Sequence, residues 1–323
     1  MNLVVTGGSG FIGSNFINYR LLHYPDDRII NIDKLTYASN PWFNNVAEKS
    51  KNYQFKNIDI SEKEELELAM TDIDCVVNFA AESHVDRSIA DPKEFIKSNI
   101  YGVYNLLELA RTKDFRFHQV STDEVFGTLD SIDTSSFTEE SAYNPRNPYS
   151  ATKASADFLV RSYVNTYGIK ATISNCGNNF GPHQHPEKLI PKTIISAIKN
   201  IKIPLYGGGH QIRDWIYVED HCSAIDTILN KGKFGMTYLI GANNEIENIE
   251  LVRKILKILN RGEDLIFFVN DRPGHDVRYS LSPRKIKEEL GWRPVHSFNE
   301  TILNTVEHYR NNIEVYLNMM LSH

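Results

Sequence analysis

The chain has 323 residues, of which 41% are hydrophobic and 24% are charged, proportions that are ordinary for a globular protein with a full core. Its formal net charge is -6, with acidic and basic residues interspersed, so the surface as a whole would repel a phosphate backbone. These values exclude nucleic acid as an expected partner.

Cysteine usage and hydropathy indicate the compartment. Cys75, Cys176 and Cys222 are odd in number and far apart, which does not fit a disulfide framework, so each is expected to pack as a small apolar side chain. The first strand begins at Leu3, which leaves no room for a signal peptide. No apolar run reaches the ~20 residues that span a bilayer. We expect a cytoplasmic protein with no membrane partner.

The first half of the chain alternates short β-rich runs with amphipathic segments. Strands are predicted at Leu3–Thr6, Arg28–Asp33, Tyr53–Asp59, Cys75–Ala80, Phe115–Thr122 and Lys170–Cys176. Strict alternation of strand and helix implies right-handed crossovers and a parallel sheet that is covered on both faces. The predicted fold class is therefore α/β, with a doubly wound, Rossmann-type sheet.

Helices are predicted between these strands. One covers about 12–24. A second covers about 92–113, with Asp91 as its N-cap residue, Pro92 at the first position and Glu94 three residues after the cap. The apolar residues of this second segment recur at helical spacing, which predicts one continuous amphipathic helix.

After about residue 176 the pattern loosens and prolines become frequent. Shorter strands at Thr237–Ile240 and Leu265–Asn270 alternate with helices. We predict a first domain at 1–176 and a smaller α/β domain at 177–323. The two are expected to be interleaved, with part of about 207–240 returning to the first domain.

A glycine-rich loop joins the first predicted strand to the first predicted helix. Gly8, Gly10 and Gly13 fit the pattern G-x-G-x-x-G, and Gly7, Gly10 and Gly13 fit G-x-x-G-x-x-G. Without Cβ atoms the turn can be tight, and backbone N–H groups can approach a pyrophosphate at the helix N-terminus. A purely structural turn is the alternative, but the strand before the loop and the helix after it favour a dinucleotide site.

Acidic residues follow the loop at the ends of the next strands. Asp33 lies 20 residues after the last of these glycines, where a carboxylate binds a ribose 2′-hydroxyl and repels a 2′-phosphate. This favours NAD over NADP, although the positive charge of Lys34 weakens the exclusion of a 2′-phosphate. Asp59 is placed to accept a hydrogen bond from an adenine amino group or to cap a helix. Ala80 and Ala81 are small enough for a cofactor to lie against the sheet edge.

A tyrosine and a lysine begin the helix that ends at Tyr167, before Gly168. Tyr149 and Lys153 are four residues apart and therefore share one helix face. An ammonium beside a phenol favours the phenolate, which brings the tyrosine closer to a useful base. The alternative is an interfacial tyrosine with an exposed lysine.

Two adjacent carboxyl groups end the fifth predicted strand. They are Asp123 and Glu124, and the hydroxyl pair Ser121 and Thr122 precedes them. Ligands of open parallel sheets bind beyond the carboxyl ends of the strands. Mutual repulsion should leave one carboxyl protonated more readily than the other, which gives an acid and a base. A solvated loop is the alternative.

At this point the motifs are similar to those of a known family. T-G-G-S-G-F-I-G, the Y-x-x-x-K pair and Phe79–Ile89 resemble extended short-chain dehydrogenases that act on nucleotide sugars. Ser121–Gly127, Pro186–Pro191 and Asp271–Asp276 resemble, more narrowly, the dTDP-glucose 4,6-dehydratases. The resemblance extends from about residue 3 to 310, and its specific part is the T-D-E triplet.

The resemblance implies a reaction for these side chains. Tyr149, assisted by Lys153, would take the proton of the sugar 4-hydroxyl, which Thr122 holds, while a hydride leaves C4 for NAD. Glu124 would remove the C5 hydrogen and Asp123 would protonate the departing 6-hydroxyl. The hydride then returns to C6, so no external electron donor is needed.

The resemblance also implies binding residues and a partner. Together with the motifs it assigns NAD to Gly7, Gly10, Phe11, Ile12, Gly13, Asp33, Lys34, Asp59, Ile60, Ala80, Ala81, Ser83, Asn99, Ser121, Tyr149, Lys153 and Asn179. It assigns the nucleotide-sugar substrate to Ser83, Thr122, Asn178, Lys188, Leu189, Pro204, Tyr206, Arg213, Asn248, Arg272 and His275. A homodimer is implied through a four-helix bundle of 92–113 and 149–167. His84, His183 and His185 lack a companion carboxylate or cysteine cluster, so no metal is expected.

Several alternatives stay open at this point. The nucleotide is thymine or uracil, because the Tyr149 segment also resembles plant-type UDP-glucose 4,6-dehydratases. An epimerase or decarboxylase on the same scaffold and a catalytically silent NAD-binding regulator are the rival functions. Gly177, Phe126 and Phe180 depart from the residues usual in the family, and the loop between Gly127 and Tyr149 is several residues short.

Overall fold

The computed structural model describes residues 1–132, 134–271 and 274–321. Its strands are β1 (Asn2–Thr6), β2 (Arg28–Ile32), β3 (Tyr53–Lys56), β4 (Cys75–Asn78), β5 (Arg116–Thr122), β6 (Ala171–Cys176), β7 (Asn178–Phe180), β8 (Ile203–Tyr206), β9 (Ile212–Tyr217), β10 (Thr237–Ile240), β11 (Glu245–Glu247) and β12 (Ile266–Val269). Within the described residues, seven of them form one parallel sheet in the order β10, β6, β5, β4, β1, β2, β3. This order runs outward from β1 in both directions and confirms the doubly wound fold class.

The described residues form twelve α-helices, of which some cover the two faces of this sheet and the others belong to the second half of the chain. They are α1 (Phe11–His23), α2 (Lys63–Ala69), α3 (Val85–Ala90), α4 (Lys93–Ile96), α5 (Val103–Lys113), α6 (Pro148–Tyr167), α7 (Leu189–Lys199), α8 (Val218–Lys231), α9 (Asn248–Ile258), α10 (Arg284–Leu290), α11 (Phe298–Asn311) and α12 (Ile313–Leu321). A π-helical segment, Lys97–Gly102, joins α4 to α5, and single 3-10 turns lie at Pro41–Asn44, Ala47–Lys49, Asp123–Phe126 and Glu263–Leu265.

Alternate residues of each strand face opposite sides of the sheet, which builds two cores. Leu3 and Val5 pack on the side covered by α1, α8 and α10. Val4, between them, packs on the side covered by α2, α5 and α6. Because both faces of the central strands are buried, β1, β2 and β4 consist mainly of apolar residues.

The second half of the chain leaves this sheet and then returns to it. It forms a three-stranded sheet, β11-β9-β7, and a parallel pair, β12-β8, around cores built with α7, α9, α11 and α12. Between these elements α8 packs against α1, and β10 pairs with β6. Residues 218–240 therefore extend the central sheet, although they follow the predicted domain boundary at residue 177.

Two predicted elements differ from the structure. The third strand ends at Lys56 rather than Asp59, because Lys56 lies opposite Ile32, the last residue of its only partner strand in the central sheet. The helix predicted over 92–113 is interrupted by the π-helical segment Lys97–Gly102, so the prediction of one regular helix is wrong there. Such segments occur mostly as single wide turns at functional sites.

Two smaller findings concern the surface and the core. Cys75, Cys176 and Cys222 are buried free thiols, which confirms that they pack as small apolar side chains. In the part of the chain that the structure describes, no helix combines the length and apolar character needed to cross a membrane.

A buried guanidinium joins the first helix of the chain to a late one. The Arg20 side chain is 1% exposed and donates to the carboxylates of Asp27 and Asp226. The Tyr24 ring lies 3.8 Å from the guanidinium carbon, and its hydroxyl donates to Asp226 at 2.9 Å. Because Asp226 belongs to α8, this ion pair holds the returning segment against α1.

We expect Arg20→Met to lower the free energy of unfolding by about 3–5 kcal/mol, because it removes the buried positive charge between two carboxylates, of which Asp226 keeps neutral hydrogen-bond donors and Asp27 keeps the N-terminal amine. Equilibrium unfolding in denaturant measures the loss. Arg253→Met is the control: this arginine also binds two carboxylates, of Glu250 and Glu263, but is 44% exposed, so solvent screens the pairs and the midpoint should barely move. Equal losses in both variants would contradict the role assigned to Arg20.

Candidate active site

A cleft opens at the carboxyl ends of the central strands. It is lined by the loops after β1, β2, β3, β4, β5 and β6, by the start of α6, and by residues 184–188. Its empty volume, measured out to the open mouth, is ≈ 1520 Å³. The cleft spans the carboxyl ends of six neighbouring strands of the central sheet.

The glycine loop after β1 forms the floor of the cleft. Gly7 has a φ of +69°, and a Cβ at this position would lie 2.6 Å from the backbone nitrogen of Ala80. A Cβ at Gly13 would lie 2.3 Å from the Gly7 carbonyl oxygen. Larger residues are therefore excluded, and the backbone at the N-terminus of α1 stays open to a ligand, as a pyrophosphate requires.

The carboxylate predicted to meet a ribose is held rigidly at this floor. Asp33 accepts hydrogen bonds from the backbone nitrogens of Ser9 at 2.9 Å and Leu35 at 2.8 Å. Burial raises the pKa of this carboxyl, and the two backbone hydrogen bonds oppose the rise. The neighbouring Lys34 ammonium lies 3.4 Å from Asp59, so a second carboxylate balances its charge. The floor thus favours a 2′-hydroxyl over a 2′-phosphate.

Asn99 holds one wall of the cleft from behind. Its amide oxygen accepts from the backbone nitrogen of Glu82 at 2.9 Å, and its amide nitrogen donates to the Glu82 carbonyl at 3.0 Å. The same nitrogen donates to Thr152 of α6 at 2.9 Å. Asn99, which the sequence assigns to NAD, is absent from the lining of the cleft, whereas the other assigned residues line it. Asn99 lies on the π-helical segment Lys97–Gly102.

The predicted base lies at the start of α6. Asn147 caps this helix in a reciprocal capping box with Ser150, which fixes the first turn. The phenol of Tyr149 is buried, and burial followed by the Glu124 carboxylate raises its pKa, while the Thr122 hydroxyl opposes the rise. One turn later the Lys153 ammonium donates to the Val120 carbonyl at 2.7 Å.

The carboxyl pair faces the same cleft as this phenol. Burial, and next the charge of Glu124, raise the pKa of Asp123 to about 8. Asp123 accepts from the Thr122 hydroxyl at 3.1 Å, and its other oxygen has no hydrogen-bond partner among the described residues. The Glu124 carboxylate lies 3.4 Å from the amide nitrogen of Asn147. At neutral pH the pair therefore holds a proton on Asp123.

A cluster that sequence reasoning missed surrounds Glu187. Its carboxylate lies 3.3 Å from His84, 3.6 Å from His185 and 3.7 Å from the Lys188 ammonium, which also donates to the Ser83 carbonyl at 3.2 Å. All five residues except His84 line the cleft. The signal was available, because this glutamate lies inside the P-E-K-L-I-P motif.

The other residues assigned to substrate lie outside the lining of the cleft. Asn178 lines it with Ser83, Thr122 and Lys188, whereas Leu189, Pro204, Tyr206, Arg213, Asn248 and His275 do not. Arg272 lies outside the described residues. Tyr206 and His275 are neighbours, with ring centroids 6.2 Å apart, and the Tyr206 hydroxyl lies 3.3 Å from the Asp86 carboxylate.

Arg213 is placed differently from what the sequence suggests. Its guanidinium donates to the backbone carbonyls of Ile212 and Asp276, both at 2.8 Å, and lies 4.4 Å over the Tyr279 ring. It is 6% exposed. Its donors are thus directed to the protein, and its charge opposes the raised pKa of Asp123.

Comparisons with known proteins show which family the chain resembles. A family model described as GDP-mannose 4,6 dehydratase matches residues 4–305. The dTDP-glucose 4,6-dehydratase of Mycobacterium tuberculosis H37Rv is 44% identical over 313 residues, which are 97% of this chain and 94% of that protein. The enzyme of the same name from Haemophilus influenzae is 46% identical, over 96% of this chain and 98% of its own.

Solved structures give the same picture. DesIV, a dTDP-glucose 4,6-dehydratase from Streptomyces venezuelae crystallised with NAD bound, has a TM-score of 0.95 and 42% identity, covering 99% of this chain and 100% of that chain. The UDP-glucose 4-epimerase of Thermotoga maritima has a TM-score of 0.89 and 26% identity, covering 97% of this chain and 100% of its own.

Three departures from the usual pattern leave the catalytic groups in place. At Gly177 a Cβ would lie 2.8 Å from the Asp214 carbonyl oxygen, so β9 approaches too closely for a side chain. Phe126 packs against Phe137 and Tyr143, and Phe180 lies in an apolar core.

The pKa of Asp123 predicts a pH-dependent stability. An unfolded aspartate titrates near ~3.9, so between about pH 4 and pH 8 the folded chain binds a proton that the unfolded chain has released. Stability at this site therefore falls as the pH rises through that window. We expect Asp123→Asn, which cannot ionise, to raise the thermal midpoint more at about pH 8 than at about pH 4. An identical effect at both pH values would show that Asp123 titrates normally.

Proposed function

The chain belongs to the family of nucleotide-sugar 4,6-dehydratases, and on that premise we propose that it converts dTDP-glucose into the 4-keto-6-deoxy sugar with NAD as cofactor. It is thus proposed to be a lyase that removes one water. The observation that carries the proposal is the unequal carboxyl pair, Asp123 and Glu124, which faces the buried Tyr149 phenol across one cleft.

The residues around the glycine loop support NAD as the cofactor. A Cβ at Gly13 would clash with Gly7 of the same loop, and a Cβ at Gly7 would clash with the backbone of Ala80. Asp33 presents a carboxylate rather than a cation at the end of β2. NAD, when bound, supplies a hydride acceptor for sugar C4, a hydride donor for C6 and a positive charge beside the phenol. Residues 1–176 with the returning segment 218–240 are proposed to hold it, and the rest of 177–323 to hold the sugar nucleotide.

The chain's own residues supply the proton transfers. Tyr149 accepts the proton of the 4-hydroxyl, and Thr122 orients that hydroxyl. Glu124 accepts the C5 proton once C4 is a ketone. Asp123, which burial keeps protonated, donates its proton to the 6-hydroxyl, which leaves as water. After hydride returns to C6, Glu124 gives a proton back to C5 and ends as it began. Tyr149 still holds the proton of the 4-hydroxyl and Asp123 has lost one, so before the next turnover Tyr149 releases its proton to solvent and Asp123 takes one from solvent.

An epimerase on the same scaffold is the weaker candidate. The dehydratase relatives are 42–46% identical to this chain, whereas the epimerase structure is 26% identical. Epimerisation also needs neither an acid at C6 nor a base at C5. The carboxyl pair would then have no chemistry to perform.

Incubation with nucleotide sugars tests the proposal. The purified protein is incubated with dTDP-glucose and, separately, with UDP-glucose, and the products are analysed by mass. We expect loss of one water, faster with dTDP-glucose. A product of unchanged mass would favour an epimerase, and faster loss of water from UDP-glucose would overturn the proposed nucleotide.

A second copy of this chain is the proposed protein partner. Exposed large apolar side chains on the paired helices α4–α5 and α6 support it: Ile96, Tyr101, Tyr104, Phe158 and Tyr167. Burying this face against its own copy would form a four-helix bundle. Light scattering should give twice the chain mass for the native protein and the single mass for Phe158→Glu. A native protein of single mass would overturn this partner.

A cytoplasmic location stays a prediction.

Removing each carboxyl should stop the reaction at the elimination step. We expect Glu124→Gln and Asp123→Asn each to lower turnover ~10²–10⁴-fold, because each removes one proton transfer. Glu124→Gln should also accumulate reduced nicotinamide, since oxidation at C4 still proceeds. Absorbance and product assays measure both effects. The control Glu140→Gln, on the exposed loop before α6, should react normally. Full turnover of both carboxyl variants would refute the assigned roles.

A further inference from the structure

The helix that carries the proposed base continues its polar face beyond Lys153. Tyr149, Lys153, Asp157 and Arg161 follow one another at intervals of four residues on α6. Residues at this spacing lie above one another on one face of a helix. The face therefore presents a phenol, an ammonium, a carboxylate and a guanidinium in turn, and the mechanism above uses only the first two.

Asp157 is buried in a polar network at the end of β5. The residue is 0% exposed. One carboxylate oxygen accepts from the Ser121 hydroxyl at 2.7 Å and from the Tyr143 hydroxyl at 2.9 Å, with the amide nitrogen of Asn175 at 3.4 Å. The other oxygen has no hydrogen-bond donor in the described part of the chain. One of the two oxygens of this buried carboxylate therefore has no hydrogen bond that offsets the loss of its contact with water.

Lys153 and Asp157 hold adjacent residues of the same strand. The Lys153 ammonium donates to the carbonyl of Val120, and Asp157 binds the side chain of Ser121, the next residue. A third contact comes from Asn175 of β6, which donates to the Thr122 carbonyl at 3.0 Å. Together these three side chains fix the carboxyl end of β5. The Thr122 hydroxyl and the carboxyl pair face the cleft from this end of the strand and from the turn that follows it.

Asp157 is the carboxylate that lies one helical turn from the buried ammonium of Lys153. Burial lowers the pKa of the lysine, and the charge of Asp157 is the first effect that opposes this, followed by Cys176 on β6. Burial raises the pKa of Asp157, and the Lys153 ammonium is the first effect that opposes this rise, followed by the hydrogen bonds from Ser121 and Tyr143. The Arg161 guanidinium donates to the Tyr143 hydroxyl at 3.0 Å. A buried ammonium without a counter-charge tends to lose its proton.

We propose that Asp157 is a positioning residue of the active site, which balances the ammonium of Lys153 and holds the end of β5 that carries Thr122. It does not touch the substrate. It acts through Lys153, which stays charged beside the cofactor, and through Ser121. The proposal rests on the proposed function only in taking NAD as the ligand of Lys153.

The test measures NAD affinity against pH in the full chain. It is carried out in an Asp123→Asn background, so that the titration of that acid is removed. We expect affinity to fall at high pH as Lys153 loses its proton. Adding Asp157→Asn should move the midpoint of this fall to lower pH by ~1–3 units, because an opposite charge nearby shifts a pKa by about that much.

Two further variants separate charge from structure. Tyr143→Phe removes one hydrogen bond to the same oxygen but leaves the charge, so it should keep the midpoint of the background protein. Asp157→Glu should keep it as well, and it carries the test if the asparagine variant fails to fold. An unmoved midpoint in Asp157→Asn, or a lowered one in Asp157→Glu, overturns the proposal. Because no sugar is involved, a chain that binds NAD without dehydrating glucose still gives an answer.

Discussion

Two carboxyl groups on consecutive residues cannot both stay ionised in a buried position, and the chemistry of this site depends on that constraint. Both residues line the cleft, but Asp123 is 3% exposed whereas Glu124 is only half-buried, so burial and the charge of its neighbour raise the pKa of Asp123 and favour the proton there. In the proposed reaction one residue is thereby the acid and the next the base. The same arrangement costs stability, which is common where a site is built for reaction rather than for folding.

The parallel sheet makes this arrangement possible because it brings distant segments to one edge. The carboxyl ends of β1, β2, β5 and β6 all open into the cleft, so a glycine loop near the start of the chain meets a strand end more than a hundred residues later. Helix α6 then crosses behind β5. Its polar face supplies Tyr149 to the cleft, while Lys153 and the proposed positioning residue Asp157 grip the strand from which the carboxyl pair projects.

The sequence predicts those parts of the site whose chemistry is local. The glycine loop, the Y-x-x-x-K pair and the T-D-E triplet each occupy a few consecutive residues, and each lies where it was expected. The sequence does not show which loops meet in space. Asn99 holds the backbone of Glu82 and does not line the cleft, and the guanidinium of Arg213 donates to backbone carbonyls. The π-helical turn that carries Asn99 has no signal in apolar periodicity, because the periodicity continues through it.

The central claim is that Asp123 carries a proton at neutral pH. Infrared difference spectroscopy between the native protein and Asp123→Asn, both near pH 7, measures this directly through the carbonyl stretch of a protonated carboxylic acid. The account predicts a band present in the native protein and lost in the variant, and lost from the native protein too as the pH rises past about 8. A difference spectrum that shows only an ionised carboxylate at neutral pH would contradict it.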